Sequence, residues 1–225
     1  YADMQLICEV YQVMRDALGM SALQVAEVFK SWNQGILNSY LMEISAEVLA
    51  TKDSDTGLPL VDVILDKAGQ KGTGLWTAVS SLELGCASPT IAEAVYARSI
   101  STNKEQRVAA STILAGSSHD KPLESQREVL IKQLHDALYC AKICVYAQGF
   151  DLMKTAGAEH GWQLNFAEIA KIWRAGCIIR AVFLQSITDA YERNDDLANL
   201  LVDPFFAKQI SLNQMNWRRA VAEAT

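Results

Sequence analysis

A short glycine-rich run at residues 69–74, Gly-Gln-Lys-Gly-Thr-Gly, holds the residues of this chain that are best placed to do chemistry. Its three glycines allow positive φ angles and let the backbone approach a ligand closely. Lys71 contributes an ammonium group and Thr73 a hydroxyl group, and an apolar helical pattern resumes at Trp76. Because free N–H groups at a helix N-terminus stabilise anions, the run predicts an anion site, and a phosphate suits it best.

The spacing of this run also allows a simpler interpretation. No glycine lies five residues before a Gly-Lys-Ser/Thr triplet, as a Walker loop requires, and the order of the glycines does not fit a dinucleotide-binding fingerprint. A glycine-rich connector between two helices would explain the spacing equally well. The choice between the two therefore depends on the rest of the chain.

Helical periodicity surrounds the run and extends over most of the sequence. Apolar residues recur at intervals of three and four over 4–18, which predicts a helix there. The same pattern predicts a helix that ends near Ala50, another that ends at Gly69, and a long helix over 124–160. No alternating pattern of useful strand length occurs, and 116–122 is the one plausible linker. The sequence therefore predicts an all-α fold with one large multi-helix domain over the whole chain.

Residues that favour helix ends mark several boundaries within this domain. Ser21–Gln24 and Thr102–Glu105 both have the capping-box pattern, in which Ser or Thr precedes Gln or Glu by three positions. Asn165 predicts the start of a helix that runs through Ile187 or beyond, and Asp203-Pro204 predicts the start of the last helix.

An internal similarity relates two parts of the chain. Residues 26–35 align without gaps with residues 167–176, and Ala, Glu, Lys, Trp and Gly recur in register. Each copy combines a long helix with a capped helix whose Trp faces the core. We therefore expect a duplicated helical unit, at about 1–50 and 124–190, that packs as one continuous core. Convergent amphipathic patterning is the alternative.

Composition limits the classes of function. The net charge of −6 argues against a general nucleic-acid-binding surface, so no nucleic-acid partner is expected. No apolar run approaches the roughly 18 residues of a membrane helix, and no basic-apolar leader suggests secretion, so no membrane partner is expected either. In so acidic a chain, a site for a phosphate must gather its cations locally, and Lys71 and Arg98 are candidates.

The cysteines point to a reducing compartment. They are scattered over apolar helical faces, at Cys8, Cys86, Cys140, Cys144 and Cys177. Cys140 and Cys144 are neighbours on a helix, but no second Cys or His pair completes a zinc site, and no metal is expected. The odd number favours buried free thiols in a protein of the cytoplasm.

Six segments of the chain carry a family resemblance. The run over 64–76 is accompanied, in matching order and spacing, by YADMQLI at 1–7, AR at 97–98, QRVAAS at 106–111, YAQGF at 146–150 and GCIIR at 176–180. Together they resemble the decarboxylating 6-phosphogluconate dehydrogenases, and the resemblance covers essentially all of the 225 residues. It favours the anion site over the plain connector.

The resemblance implies a reaction. Members of the family oxidise 6-phosphogluconate with NADP, and the 3-keto intermediate loses carbon dioxide and is protonated to ribulose 5-phosphate, without a metal. It therefore implies 6-phosphogluconate as substrate, NADP as cofactor and a homodimer. The family's general base and acid, a lysine and a glutamate, would lie upstream of Tyr1, so no catalytic residue is expected in this chain. The Rossmann domain that binds NADP and the C-terminal tail also lie outside it, and we expect the chain alone to be inactive.

The resemblance also implies a set of substrate ligands. Four residues match the family's phosphate ligands: Tyr1, Lys71, Thr73 and Arg98. Arg offers a planar fork and Lys a point charge to one dianion, which suits a phosphate. Two departures from the family occur beside them, since Ala2 replaces a usual glycine and Leu75 a frequent lysine.

Two other functions remain open at this level. The chain could be a helical self-association module that has lost substrate binding, or part of a related β-hydroxyacid dehydrogenase that acts on another acid. The turn at 71–74 argues against the second, because a substrate without a phosphate gives no reason for it. Without the resemblance, Tyr1 would be a terminal residue and Arg98 a helix-end cation.

Overall fold

The structure is a computed structural model that describes residues 1–114, 116 and 124–225, apart from the side chains of 124 and 125. Within those ranges the chain forms eleven α-helices and a short 3₁₀-helix, and it has no β-strand beyond two isolated bridges. The prediction of an all-α fold is confirmed. The linker predicted at 116–122 lies outside the described residues except for Gly116.

The helices follow one another along the chain with mostly short connections. They are α1 (Ala2–Asp16), α2 (Ala22–Trp32), α3 (Tyr40–Ala50), α4 (Leu60–Val63), α5 (Thr73–Glu83), α6 (Pro89–Thr102), α7 (Lys104–Ser111), α8 (Glu124–His160), α9 (Phe166–Ile172), α10 (Leu184–Arg193), a 3₁₀-helix (Leu200–Val202) and α11 (Pro204–Ala224). None of these described helices, the long α8 included, combines the length and apolarity that crossing a membrane requires.

One predicted capping box forms and the other does not. The Ser21 hydroxyl accepts the Gln24 N–H at 3.2 Å, and the Gln24 side chain accepts the Ser21 N–H at 2.8 Å. The prediction that Thr102 caps a helix was wrong, because Thr102 is the last residue of α6. Its hydroxyl donates instead to the carbonyls of Arg98 and Ala68, at 3.0 and 3.3 Å.

Two predicted helices end early. The helix expected to reach Gly69 is the short α4, and 64–71 has no regular structure. Asn165 caps α9 as predicted, accepting the Glu168 N–H at 3.0 Å, but α9 ends at Ile172 and α10 begins only at Leu184.

The segment between α9 and α10 leaves the helical path to pair with another part of the chain. The Tyr40 N–H donates to the Arg180 carbonyl at 3.1 Å. The Val182 N–H donates to the Asn38 carbonyl at 3.0 Å. Gly176 adds a left-handed turn, with φ at 68°. These long-range bonds and that turn account for the break that helical periodicity alone did not predict.

The helices form a large core and a smaller layer beside it. The core surrounds α8 and includes α1 to α3 and α9 to α11, with Phe29, Phe150 and Phe206 fully buried in it. Residues 51–114 add no fully buried side chain to this core cluster. Instead α5 packs against α6, and α6 lies on α1 and α8. This second layer brings the glycine-rich run against the start of α1.

Candidate functional site

The glycine-rich run leads into the N-terminus of α5. Gly72 is the residue before the helix and has φ at 98°, a left-handed conformation that side chains rarely adopt. A Cβ at Gly72 would also lie 3.1 Å from the Trp76 ring. Thr73 is the first residue of α5, so its hydroxyl lies beside the free N–H groups of the first turn.

The ring of Tyr1 packs against this first turn. A Cβ added at Gly74 would lie 2.5 Å from Cδ2 and 2.8 Å from Cε2 of Tyr1, so only glycine allows the ring this position. The Tyr1 hydroxyl accepts the backbone N–H of Lys71 at 3.3 Å. Tyr1 therefore joins the start of α1 to the turn that precedes α5.

Arg98 closes the site from α6. Its guanidinium carbon lies 4.4 Å from the centre of the Tyr1 ring, a cation–π contact. Its Nη1 donates to the Gly69 carbonyl at 2.8 Å. A guanidinium carries five N–H donors, so these contacts orient Arg98 and leave donors for an anion.

The electrostatics of the site favour negative charge. The pKa of the Tyr1 hydroxyl is lowered, first because the Lys71 N–H donates to its oxygen and then through its hydrogen bond with Thr73. Partial burial opposes this effect, and the positive charges of Arg98 and Lys71 add to it. Groups that stabilise a phenolate oxygen are of the kind that a phosphate oxygen requires. The structure thus brings the four residues predicted from the sequence together.

Several residues that the sequence analysis did not identify hold the irregular run in place. The Ala68 N–H donates to the Ser101 hydroxyl at 2.8 Å. Asp66 forms ion pairs with Lys104 and with Arg107, and these hydrogen bonds lower the pKa of its carboxyl group to about 2. The segments at 64–76 and 106–111 were recognised as motifs, but nothing in their spacing shows that Asp66 and Arg107 meet.

A recess of about 420 Å³ opens beside Tyr1 and Thr73. Apolar side chains from α6, α8 and the segment after α9 line most of it, among them those of Ile91, Val145, Trp173 and Ile179. Its boundary also includes Asp3, whose carboxylate lies 2.8 Å from the ammonium of the fully buried Lys142. Because Asp3 holds that ammonium, the Lys142 side chain is a structural cation.

Tyr146 stands in the same recess. Its hydroxyl donates to the Ile179 carbonyl at 2.9 Å, and burial raises the pKa of its phenol far above the usual value. Among the described residues, no group of three or more His, Cys, Asp or Glu side chains is arranged to hold a metal ion. The cations, hydroxyls and backbone N–H groups at the start of α5 are suited to binding an anion.

Comparison with known proteins agrees with this geometry. Residues 1–225 match the family model described as 6-phosphogluconate dehydrogenase, C-terminal domain. The chain is 51% identical over 224 residues to the NADP(+)-dependent, decarboxylating 6-phosphogluconate dehydrogenase of Bacillus subtilis, covering 100% of this chain and 48% of that protein. It is 49% identical over 222 residues to the decarboxylating 6-phosphogluconate dehydrogenase of Rattus norvegicus, covering 99% of this chain and 46% of that protein.

A solved structure is similar over the whole chain. It is the 6-phosphogluconate dehydrogenase of Plasmodium falciparum, described in its apo form, with its cofactor NADP+ and with its substrate 6-phosphogluconate. The TM-score is 0.96 at 45% identity, covering 100% of this chain and 48% of that one. The chain spans about half the length of the relatives it matches. It belongs to the family of 6-phosphogluconate dehydrogenase C-terminal domains.

Proposed function

We propose that this chain is the part of an NADP-dependent, decarboxylating 6-phosphogluconate dehydrogenase that binds the phosphate of the substrate. The single observation that carries the proposal is the convergence of Tyr1, Lys71, Thr73 and Arg98 at the start of α5. The Plasmodium falciparum relative, which is similar over the whole chain, has 6-phosphogluconate as its substrate.

Each residue has a distinct task in this proposal. Arg98 presents a planar fork to two phosphate oxygens, and Lys71 adds a mobile point charge. The hydroxyls of Thr73 and Tyr1 and the N–H groups of the first turn of α5 complete the shell. Because the phosphate is remote from the reacting carbons, these contacts anchor the substrate and orient its 3-hydroxyl for the general base. That base and the general acid belong to the half of the enzyme outside these residues.

NADP would accept the hydride that leaves the substrate. The glycine-rich run does not fit a dinucleotide fingerprint, and the charges of Lys71 and Arg98 both act on the Tyr1 hydroxyl. We therefore assign cofactor binding mainly to the other half of the enzyme. The β-hydroxyacid dehydrogenase alternative gives no role to Lys71 or Arg98 and is disfavoured.

Kinetics of the full-length enzyme test the phosphate site. Lys71→Ala and Arg98→Ala should each raise the KM for 6-phosphogluconate roughly ten- to hundredfold, because each removes a charge-assisted hydrogen bond. The KM for NADP and the turnover of unphosphorylated gluconate should stay unchanged. Lys67→Ala is the matched control, since it removes the same charge from the same exposed run. An unchanged KM, or equal weakening of both sugar acids, would contradict the proposal.

We further infer that the enzyme is a symmetric homodimer. Large apolar side chains are exposed on the second layer, which residues 51–114 form, with Leu82 at 76%, Ile113 at 81% and Leu114 at 70% exposure. Such a surface supports burial against another subunit. Sedimentation of the full-length protein should give a dimer at micromolar concentration. A dimer that does not bind 6-phosphogluconate would favour the self-association module instead.

We also infer that the chain contains a duplicated helical unit, at about 1–50 and 124–190. Two features support it. The aligned Trp32, at the end of α2, and Trp173, just after α9, both pack on the core. The isolated bridge between Ser39 and Ala181 then joins segments that follow those helices in the two units, as a local two-fold relation would.

The proposal extends to the compartment and the pathway in which the enzyme works. We place the enzyme in the cytoplasm, in gluconate utilisation through the pentose phosphate pathway. All five cysteines are free thiols, which supports a reducing environment.

A further inference from the structure

Residues 64–72, the run that presents Lys71, have no regular secondary structure. Helical hydrogen bonds reach only the two ends of the run, where the Ile64 N–H donates to the Leu60 carbonyl at 3.1 Å and the Gly72 carbonyl accepts the Trp76 N–H at 2.9 Å. No helical or sheet hydrogen bond holds the backbone of residues 65–71. The position of the run therefore depends on side chains that reach it from α6, from α7 and from Tyr1. Side chains hold the backbone in this way at four residues, Asp66, Ala68, Gly69 and Lys71.

Arg107 makes the attachment nearest the start of the run. Its Nη2 donates to the backbone carbonyl of Asp66 at 2.7 Å and to the carbonyl of Ser101 at 3.1 Å. Its Nη1 donates to the Asp66 carboxylate at 3.1 Å. One planar group thus ties the run to the last turn of α6, the helix that also carries Arg98. Only a guanidinium offers donors in this fixed fork.

Lys104 contacts the same carboxylate in a different way. Its ammonium pairs with the Asp66 side chain, and no backbone carbonyl of the run accepts from it in the described hydrogen bonds. Both cations are partly exposed, with 39% of the Lys104 side chain and 33% of the Arg107 side chain accessible. Both residues are therefore cations that pair with the Asp66 carboxylate, but only Arg107 also holds the backbone of the run.

We propose that Arg107 is a positioning residue for the phosphate site. By fixing the backbone of Asp66 against Ser101, it sets where Lys71 lies relative to Arg98. It acts through the run and is not itself a phosphate ligand. The proposal rests on the function proposed above, because the site it positions is the site for the substrate phosphate.

Four forms of the full-length enzyme test this role: the wild type, Arg107→Met, Arg107→Lys and Lys104→Met. Both Arg107 variants should raise the KM for 6-phosphogluconate roughly ten- to hundredfold, the effect of an ångström-scale misplacement. The KM for NADP and the KM for unphosphorylated gluconate should not change. Lys104→Met should behave like the wild type. Amide hydrogen exchange over 64–72 should become faster in the Arg107 variants alone.

Each other pattern of results overturns the inference. If Arg107→Lys keeps the wild-type KM while Arg107→Met and Lys104→Met both raise it, the residue acts by charge. If the Arg107 variants melt earlier but keep the KM for 6-phosphogluconate, its role is only structural. Should Arg107→Met fail to fold, Arg107→Lys still separates these cases. A wild type that does not prefer 6-phosphogluconate to gluconate refutes the proposed function itself, and this inference with it.

Discussion

Gly74→Ala places a methyl group where the structure has no room for one. The new Cβ would lie 2.5 Å and 2.8 Å from two carbons of the Tyr1 ring and 3.1 Å from Cγ2 of Val95. Carbon atoms in good contact are about 3.5–4.0 Å apart, so the ring would have to move by about 1 Å. The Tyr1 hydroxyl already lies 3.3 Å from the Lys71 nitrogen, and a shift of that size would break the bond.

This displacement should appear in both stability and binding. Overpacking of this kind costs about 1–3 kcal/mol of the free energy of unfolding. Because the same ring supports the Arg98 guanidinium at 4.4 Å, the site should also lose its geometry. We expect the KM for 6-phosphogluconate to rise about tenfold or more, with the KM for NADP unchanged. Urea unfolding and steady-state kinetics of the full-length enzyme measure the two effects.

Two other glycines of the same run serve as controls. A Cβ at Gly69 meets no heavy atom within 4 Å, so Gly69→Ala should leave stability and KM unchanged. Gly72 has φ at 98°, so Gly72→Ala should cost about 1–2 kcal/mol through backbone strain, in addition to a close contact of its Cβ with the Trp76 ring at 3.1 Å. If Gly74→Ala behaves like Gly69→Ala in both assays, the packing of Tyr1 on α5 does not support the site.

Three further predictions concern other parts of the molecule. Asp3→Asn leaves the buried ammonium of Lys142 without its counter-ion and should lower the free energy of unfolding, measured in urea, by about 3–5 kcal/mol. The double variant Asp3→Leu with Lys142→Met removes both charges, so it should lower the free energy of unfolding much less. Maleimide should label the exposed Cys8 in the folded protein, but slowly, because partial burial of the thiol raises its pKa. Cys140 should be labelled only after unfolding, because it is fully buried and burial raises the pKa of its thiol to about 12. The pKa of the Asp66 carboxyl falls from 3.8 to about 2 on folding, so its ionised form stabilises the folded state fully above pH 3.8, and this stabilisation is lost as the pH falls through 2. The difference in free energy of unfolding between the wild type and Asp66→Asn should therefore vanish between these pH values.

The sequence alone determined the features that depend on neighbouring residues. The capping box at Ser21, the cap at Asn165 and the start of α11 after Asp203 all form as predicted. The limits of α8 at Glu124 and His160 were also predicted correctly. Helix caps and apolar periodicity act over three or four residues, so a linear pattern contains the information they need. The four proposed phosphate ligands were predicted from the family resemblance, as residues within short matched motifs.

Only the tertiary structure decided where the helical pattern stops and what holds the irregular segments. The run before α5 loses its predicted helix, and Ala68 is bound instead by Ser101, 33 residues away. The segment after α9 leaves the helix to pair Arg180 with Tyr40. The bonds between Arg107 and Asp66 also join residues that are remote in sequence, 41 positions apart. Such bonds require the packing of other helices to bring distant segments together, and no local pattern specifies which distant donor will meet which carbonyl.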